Sequence, residues 1–233
     1  MQIQTVGIIG AGTMGNGIAQ ACATSGINVV MVDISEAAVQ KGLATVAGSL
    51  DRLIKKEKIS AADKEAALAK IKVSTDYSAL KAAQLVIEAA TENEALKIKI
   101  LQEVDALVGP EVLIASNTSS ISITKLAAVT GRADKFIGMH FFNPVPMMAL
   151  VEVIRGLQTS DATHAAVQAL AQQLGKTPIT VKNGPGFVVN RVLIPMINEA
   201  FFVLAEGLAT AEDIDAGMKL GCNHPIGPLA LAD

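Results

Sequence analysis

A glycine loop lies between the first apolar segment of the chain and its first helical segment, and it narrows the possible folds sharply. The loop, Gly10–Gly15, reads GAGTMG, follows the strand-like run Ile3–Ile9 and opens a helical pattern over Met14–Ser25. A second β-branched run, Asn28–Asp33, ends on an acid. A strand, a glycine turn, a helix and a second strand ending on an acid predict the first βαβ unit of a Rossmann-like, dinucleotide-binding fold.

Each glycine of this loop has a separate physical task in such a unit. Gly10 permits the tight turn, Gly12 lets the backbone approach a pyrophosphate, and Gly15 lets the helix pack on the strand. The N–H groups of Thr13 and Met14 then face the phosphates at the positive end of the helix. The alternative is an ordinary glycine turn without a ligand.

Asp33 lies where a carboxylate can accept a hydrogen bond from a ribose 2′-hydroxyl and repel a 2′-phosphate. No arginine follows it closely in the sequence. We therefore expect NAD rather than NADP as the cofactor. The alternative for Asp33 is a purely structural cap.

The chain continues as alternating helical and strand patterns. Helices are predicted at Glu36–Lys58, Ala61–Lys70 and Asn93–Leu107, and strands at Gln84–Ala89, Val112–Ser116 and Lys135–His140. Short links between strands and helices predict a doubly wound, mostly parallel sheet covered on both faces, an α/β architecture.

The pattern changes after His140. A strand over Met147–Ile154 follows a Pro-Val-Pro turn with no room for a crossover helix, which predicts an antiparallel extension at the far edge of the sheet. A helix over Asp161–Leu174 and a strand over Thr177–Val181 come next. The strongest break is Asn183–Gly186.

Two domains follow from this break. Residues 1–186 are predicted to form the Rossmann-like domain and residues 187–233 an all-α C-terminal domain, with helices over Val188–Leu208 and Ala211–Leu220. Forty-odd residues are barely enough to fold unaided.

Composition excludes several classes of protein. The 19 Lys+Arg against 22 Asp+Glu give a formal net charge of −3, and aromatics are only 3%, so we expect no nucleic-acid partner. No uninterrupted apolar run has the length of roughly 18 residues that a membrane span needs. Two cysteines, Cys22 and Cys222, make no disulfide framework and favour a reducing, cytoplasmic location. No metal site is expected.

A second group of polar residues points to the same edge of the sheet. Ser119 follows the strand Val112–Ser116, and His140 ends the next apolar strand. Glu152 lies inside an apolar strand, and a buried carboxylate needs a partner. A return through the proline turn could bring Glu152 beside His140, which would fix the tautomer of a general base. Alternatively, Glu152 faces solvent, His140 is structural and Ser119 belongs to an ordinary turn.

Five ordered blocks together resemble the L-3-hydroxyacyl-CoA dehydrogenase family, especially its bacterial members acting on 3-hydroxybutyryl-CoA. The resemblance covers essentially the whole chain. The blocks are VGIIGAGTMGNGIAQ, VIEAATENEALKIK, IASNTSSISI, GMHFFNPVPMMALVEV and NGPGFVVNRVLIPMINEA.

The resemblance implies a role for each matching position. It implies that His140 is the catalytic base, that Glu152 is its carboxylate partner, and that Ser119 and Asn190 bind the reacting oxygen and the acyl group. It implies further cofactor contacts at Ala89, Glu92, Lys97 and Asn143, and coenzyme A contacts at Ser49 and Lys56. Lys56 also fits an ordinary solvated helix face.

The implied reaction is NAD-dependent hydride transfer between a 3-hydroxyacyl-CoA and its 3-keto form. The family continues for about fifty residues past GPLALAD, so the C-terminal domain is expected to be incomplete here and the homodimer to depend on its completion. Two alternatives remain at this stage. One is a dehydrogenase of free 3-hydroxy or sugar acids; the other is a non-catalytic, crystallin-like dinucleotide-binding protein.

Overall fold

A computed structural model of the chain describes residues 2–233. The chain divides into two compact units, Met1–Gly184 and Pro185–Asp233. The division falls within the Asn183–Gly186 break.

The N-terminal unit is built on one eight-stranded sheet in the order β3-β2-β1-β4-β5-β6-β7-β8. Neighbouring strands from β3 through β6 pair in parallel, β6 and β7 pair antiparallel, and β7 and β8 pair in parallel. The strands are β1 (Thr5–Ile9), β2 (Asn28–Val32), β3 (Ile71–Ser74), β4 (Leu85–Glu88), β5 (Leu113–Ser116), β6 (Phe136–Phe141), β7 (Leu150–Arg155) and β8 (Thr177–Lys182).

This topology confirms the predicted Rossmann-like, mostly parallel sheet with an antiparallel extension. One detail is wrong: β7 is not the far edge, because β8 lies outside it. The helix between β7 and β8 carries the chain back, so that the last strand runs parallel to β7. The strand β3 was not predicted, since its four residues follow a helix without a turn signal.

The helices of this unit cover the sheet. They are α1 (Thr13–Thr24), α2 (Glu36–Lys55), α3 (Ala61–Ala69), α4 (Glu94–Leu107), α5 (Ile123–Ala127) and α6 (Asp161–Gln173), with short 3-10 helices at Tyr77–Ala82 and Ala133–Lys135. Side-chain caps begin most of them: Ser35, Asn93, Ser122 and Ser160 each accept from a backbone N–H in the first turn, and Ser60 forms a capping box with Asp63. Each such cap is worth about 1 kcal/mol.

The core lies between this sheet and its helices. The central strands are buried along their length, as β4, β5 and β6 are over every residue. Fully burying a side chain such as Ile8, Leu85 or Phe136 stabilises the fold by roughly 1.5–3 kcal/mol. A sheet buried on both faces leaves its polar groups at the strand ends, where ligands bind in folds of this kind.

The turn between β6 and β7 is fixed from two sides. Lys176 donates to the carbonyl oxygens of Val145, at 2.5 Å, and Met148, at 2.8 Å. Burial lowers the pKa of the Lys176 ammonium from its usual value. Val145 also packs against Gly17 of α1, where an added Cβ would come within 2.9 Å of its side chain. The turn that reverses the chain after His140 is therefore anchored to the helix that follows the glycine loop.

The C-terminal unit is helical, as predicted. It contains α7 (Val189–Ala205), α8 (Ala211–Gly221) and α9 (Pro228–Ala232). Asp215 of α8 caps α9 by accepting from the backbone N–H groups of Leu229 and Ala230, each at 2.9 Å. Among residues 2–233, no helix combines the length and the apolar character that crossing a bilayer requires.

The two cysteines occupy opposite environments, and this generates a prediction. Cys22 is buried in α1, and burial raises the pKa of its thiol to about 12, whereas Cys222 is exposed. Since the thiolate is the reactive form, we expect iodoacetamide at pH 8 to alkylate Cys222 alone in the native protein. Peptide mass spectrometry measures the modification, and the same treatment in denaturant should modify both cysteines. Rapid native labelling of Cys22 would contradict its burial.

Candidate active site

The glycine loop follows β1 at the point where the strand order of the sheet reverses. Gly10 has a positive φ of 99°, and its N–H donates to the carbonyl of Val32 at 2.8 Å. A Cβ on Gly10 would lie 2.6 Å from the carbonyl oxygen of Ala89, and one on Gly15 would lie 1.7 Å from that of Gly10. Both glycines are therefore required for the loop itself. The predicted cofactor contact Ala89 lies directly beside this turn.

Gly12 is different, because an added Cβ would meet nothing within 4 Å. It is the N-cap of α1 and contributes no side-chain cap. The first backbone N–H groups of a helix have no intrahelical partner, so those of Thr13 and Met14 can serve an anion. The side chain of Asn16 stabilises the loop by donating to the carbonyl oxygens of Gly12, at 2.7 Å, and Ala11, at 3.3 Å.

Asp33 is tied to the glycine loop. Its Oδ2 accepts from the N–H of Ala11 at 2.7 Å, and its Oδ1 accepts from the N–H of Ile34 at 2.7 Å. A cavity of about 310 Å³ opens beside it, lined by Ala11, Gly12, Thr13, Asn16, Asp33, Ala38, Lys41 and Thr45. An open backbone at Gly12, unpartnered helical N–H groups and an acid at the rim fit the phosphates and ribose of NAD.

Lys41 and Thr45 were not predicted as parts of this cavity. They lie one helical turn apart on α2, on the face that also carries Ala38. The available signal was their position in the helix that Ser35 caps, two residues after Asp33.

His140 and Glu152 face each other across the antiparallel pair of β6 and β7. The Nδ1 atom of His140 lies 2.7 Å from Oε2 of Glu152. Glu152 is completely buried and His140 is 7% exposed, which excludes the solvent-facing alternative for this carboxylate. The ring of Phe142 packs against the imidazole at a centroid distance of 4.5 Å.

Ser119 is held by Glu92. One carboxylate oxygen of Glu92 accepts from the N–H of Ser119, at 2.7 Å, and from its hydroxyl, at 3.1 Å. The other accepts from the hydroxyl of Thr118 at 2.9 Å. The structure thus joins Ser119, predicted as a substrate ligand, to Glu92, predicted as a cofactor contact.

Asn117 connects this loop to the strand of His140, a function that the sequence analysis missed. Its side-chain oxygen accepts from the N–H of Phe141 at 2.9 Å, and its own N–H donates to the carbonyl of Glu88 at 2.8 Å. Asn117 is buried at the junction of β4, β5 and β6. The loop that carries Ser119 is therefore fixed relative to the end of β6.

Lys97 lies beneath this loop, with a side chain that is only 1% exposed. Its ammonium forms an ion pair with the fully buried Glu88 and lies 3.8 Å from Glu92. Glu88 was not predicted as a site residue. The signal was present, because it is an acid at the end of an apolar strand, as Glu152 is within another.

The remaining predicted residues lie elsewhere in the two units. Asn143 is exposed at the start of the turn after β6. Ser49 is half-buried in α2, and Lys56 is the exposed C-cap of that helix. Asn190 is the second residue of α7, in the C-terminal unit. Within residues 2–233, no group of three His, Cys, Asp or Glu side chains is arranged to hold a metal ion.

Comparison with protein families matches both units. Residues 5–184 match the family model described as 3-hydroxyacyl-CoA dehydrogenase, NAD binding domain. Residues 186–233 match the model described as 3-hydroxyacyl-CoA dehydrogenase, C-terminal domain.

Individual relatives agree with these matches. A 3-hydroxybutyryl-CoA dehydrogenase of Bradyrhizobium diazoefficiens is 49% identical over 231 residues, covering 99% of this chain and 79% of the relative. The mitochondrial hydroxyacyl-coenzyme A dehydrogenase of Rattus norvegicus is 44% identical over 237 residues, covering 99% and 76%. The crystal structure of (S)-3-hydroxybutyryl-CoA dehydrogenase from Ralstonia eutropha matches with a TM-score of 0.98 at 78% identity, covering 99% of this chain and 82% of that one.

The contrast between Gly12 and Gly15 gives a prediction for cofactor binding. Gly12→Ala adds a methyl group into open space, so we expect an unchanged melting temperature. The same methyl group obstructs the approach of a pyrophosphate to the loop. We expect the Kd for NADH to rise about 10- to 100-fold, the effect of losing one or two charge-assisted hydrogen bonds. Fluorescence titration of NADH and a thermal melt measure the two effects.

Two further variants serve as comparisons for Gly12→Ala. Gly15→Ala should destabilise the fold as well, because its Cβ would overlap the carbonyl of Gly10. Gly109→Ala, after α4 and with nothing within 4 Å of the added Cβ, should leave both quantities unchanged. Normal NADH affinity in Gly12→Ala would place the pyrophosphate elsewhere.

Proposed function

Since the chain belongs to the 3-hydroxyacyl-CoA dehydrogenase family, we propose that it interconverts (S)-3-hydroxybutyryl-CoA and acetoacetyl-CoA. The resemblance of its motifs predicted an NAD-dependent oxidoreductase of this family. The observation that carries the mechanism is the 2.7 Å contact between Nδ1 of His140 and the buried carboxylate of Glu152. The name of the Ralstonia eutropha enzyme supports the choice of substrate.

His140 is proposed as the general base. With Nδ1–H donated to Glu152, the neutral imidazole carries its lone pair on Nε2, which takes the proton of the substrate 3-hydroxyl. The ring becomes a cation in this step, and the carboxylate of Glu152 stabilises the charge inside an apolar environment. In the reverse direction, the imidazolium returns the proton to the ketone oxygen.

Ser119 is proposed to bind the reacting oxygen, and Asn190 to orient the acyl group on the strength of its match to the family pattern. Glu92 and Asn117 hold the Ser119 loop at the end of β6, where His140 lies. Orienting reactants in this way lowers the activation barrier, because their translational and rotational freedom is lost on binding and not in the transition state.

The NAD cofactor is proposed to be held by the glycine loop, the α1 N-terminus and Asp33. When bound, it supplies the hydride-accepting nicotinamide, and the protein orients the reactants and supplies the electrostatic environment. Ser49 and Lys56 are proposed to contact the coenzyme A portion of the substrate, with Lys56 providing a cation for its phosphates.

A steady-state assay of NADH oxidation tests the function. We expect turnover with acetoacetyl-CoA and a kcat/KM at least about a hundredfold lower with free acetoacetate, because remote binding energy from coenzyme A is lost. Equal rates with free acetoacetate would favour a dehydrogenase of free 3-hydroxy acids. Binding of NADH without turnover of either compound would favour a non-catalytic dinucleotide-binding protein.

Substitutions of the histidine–glutamate pair test the mechanism. We expect His140→Gln to lower kcat roughly 10²–10⁴-fold, the usual loss when a general acid–base is removed. Glu152→Gln keeps a hydrogen-bonding side chain but removes the charge that stabilises the imidazolium, so kcat should also fall severely. The affinity for NADH, measured by fluorescence, should stay within about threefold in both variants, since neither residue belongs to the glycine loop.

His164→Gln is the matched control. His164 is a partly buried histidine of α6 whose Nε2 lies 2.9 Å from the hydroxyl of Thr180 in β8. Its substitution should leave kcat unchanged. A near-normal kcat in His140→Gln would remove this residue from the mechanism.

A further inference from the structure

We propose that Glu88 is a positioning residue for this reaction. Its carboxylate binds Lys97 and Ser116, and because Glu88 pairs with Lys97, the carboxylate of Glu92 remains bound to Ser119. The proposal rests on the function proposed above, in which Ser119 binds the reacting oxygen. Neither the mechanism nor the sequence motifs gave Glu88 a role.

The carboxylate of Glu88 contacts three separate segments of the site. Its Oε1 accepts from the N–H of Ala90 at 3.0 Å, in the segment that packs against Gly10. Its Oε2 accepts from the hydroxyl of Ser116 at 2.9 Å and from the ammonium of Lys97. One fully buried carboxylate therefore contacts the segment beside the glycine loop, the first turn of α4 and the end of β5.

Three charges share this region, and their arrangement decides where Glu92 binds. Lys97 lies between Glu88, which is 0% exposed, and Glu92, which is 49% exposed. Lys97 forms its direct ion pair with Glu88 and stays 3.8 Å from Glu92, beyond hydrogen-bond distance. Glu92 instead accepts from the backbone and the hydroxyl of Ser119.

Removing the charge of Glu88 would change which carboxylate pairs with Lys97. A buried ammonium needs a counter-charge, and Glu92 is the next carboxylate within reach. Glu92 would then move toward Lys97 and release the loop of Ser119. The reacting oxygen would lose its ordered partner, although the glycine loop would remain intact.

Glu88→Gln tests this chain of events selectively. The amide oxygen can still accept from Ala90, whereas the amide nitrogen in place of Oε2 cannot accept from Lys97. We expect kcat with acetoacetyl-CoA to fall about 10- to 100-fold, the cost of a displaced reacting group. The Kd for NADH should stay within about threefold, because the contact beside Gly10 is kept.

The double variant Glu88→Gln/Lys97→Met separates positioning from a general structural role. Without the ammonium, nothing draws Glu92 away from Ser119, so kcat should recover at least about fivefold relative to Glu88→Gln. Replacing both members of a buried ion pair is also tolerated better than removing one of them. A double variant as slow as Glu88→Gln or slower would overturn the proposal, as would Glu88→Gln with normal kcat.

Lys97→Met alone completes the double-mutant cycle, and Glu111→Gln is the control. Glu111 is 85% exposed and pairs with Lys135 at 3.0 Å on the surface, so its loss should leave kcat unchanged. Thermal melts report folding of every variant. Should Glu88→Gln fail to fold, the double variant decides alone: a kcat within about tenfold of wild type supports the proposal, and a larger loss overturns it.

A crystal structure of Glu88→Gln, or of the double variant if the single one does not fold, gives a readout independent of turnover. In Glu88→Gln we expect the Glu92 carboxylate at hydrogen-bond distance from Lys97 and apart from Ser119; in the double variant it should remain on Ser119. The opposite placement in either would overturn the proposal. Absence of wild-type turnover would instead count against the proposed function, while the position of Glu92 would still decide the present proposal.

Discussion

The contact between His140 and Glu152 depends on a single reversal of the chain. Strand β6 runs parallel to β5 and ends beside the site, and β7 returns antiparallel, so that His140 and Glu152 become cross-strand neighbours. A parallel β7 would need a crossover helix and would place Glu152 at a different position along the strand relative to His140. The proline turn, Lys176 and the contact of Val145 with Gly17 hold that reversal in place.

Local signals predicted most of the elements that carry the site. The glycine loop, the strand ending at Asp33 and the break at Asn183–Gly186 are visible because glycine, proline and β-branched residues act within a few positions. The return of β7 was predicted for a steric reason, the lack of room for a helix. The outer position of β8 and the short strand β3 were missed, since edge pairing depends on partners far away in the sequence.

The side-chain contacts were harder to predict than the elements. The cofactor contact at Lys97, implied by resemblance, stays a prediction, and the pairing of its ammonium with the buried Glu88 was not predicted. Asn117 was given no role in the sequence analysis, although its amide joins the end of β5 to β6. Such contacts join different elements of the fold, and the hydrophobic periodicity of one segment does not indicate which other segment it contacts. The resemblance supplied identities of residues but not their partners.

Two acids buried in apolar strands organise the site, and they do so with different partners. Glu152 faces an imidazole whose charge changes during the proposed reaction, so its stabilising effect grows as the proton is transferred. Glu88 faces an ammonium that takes no part in the proposed proton transfer, so its effect is the same before and after the transfer. The first arrangement suits catalysis and the second suits the fixed placement of loops. A buried acid in a strand is therefore informative only together with the chemical role of its partner.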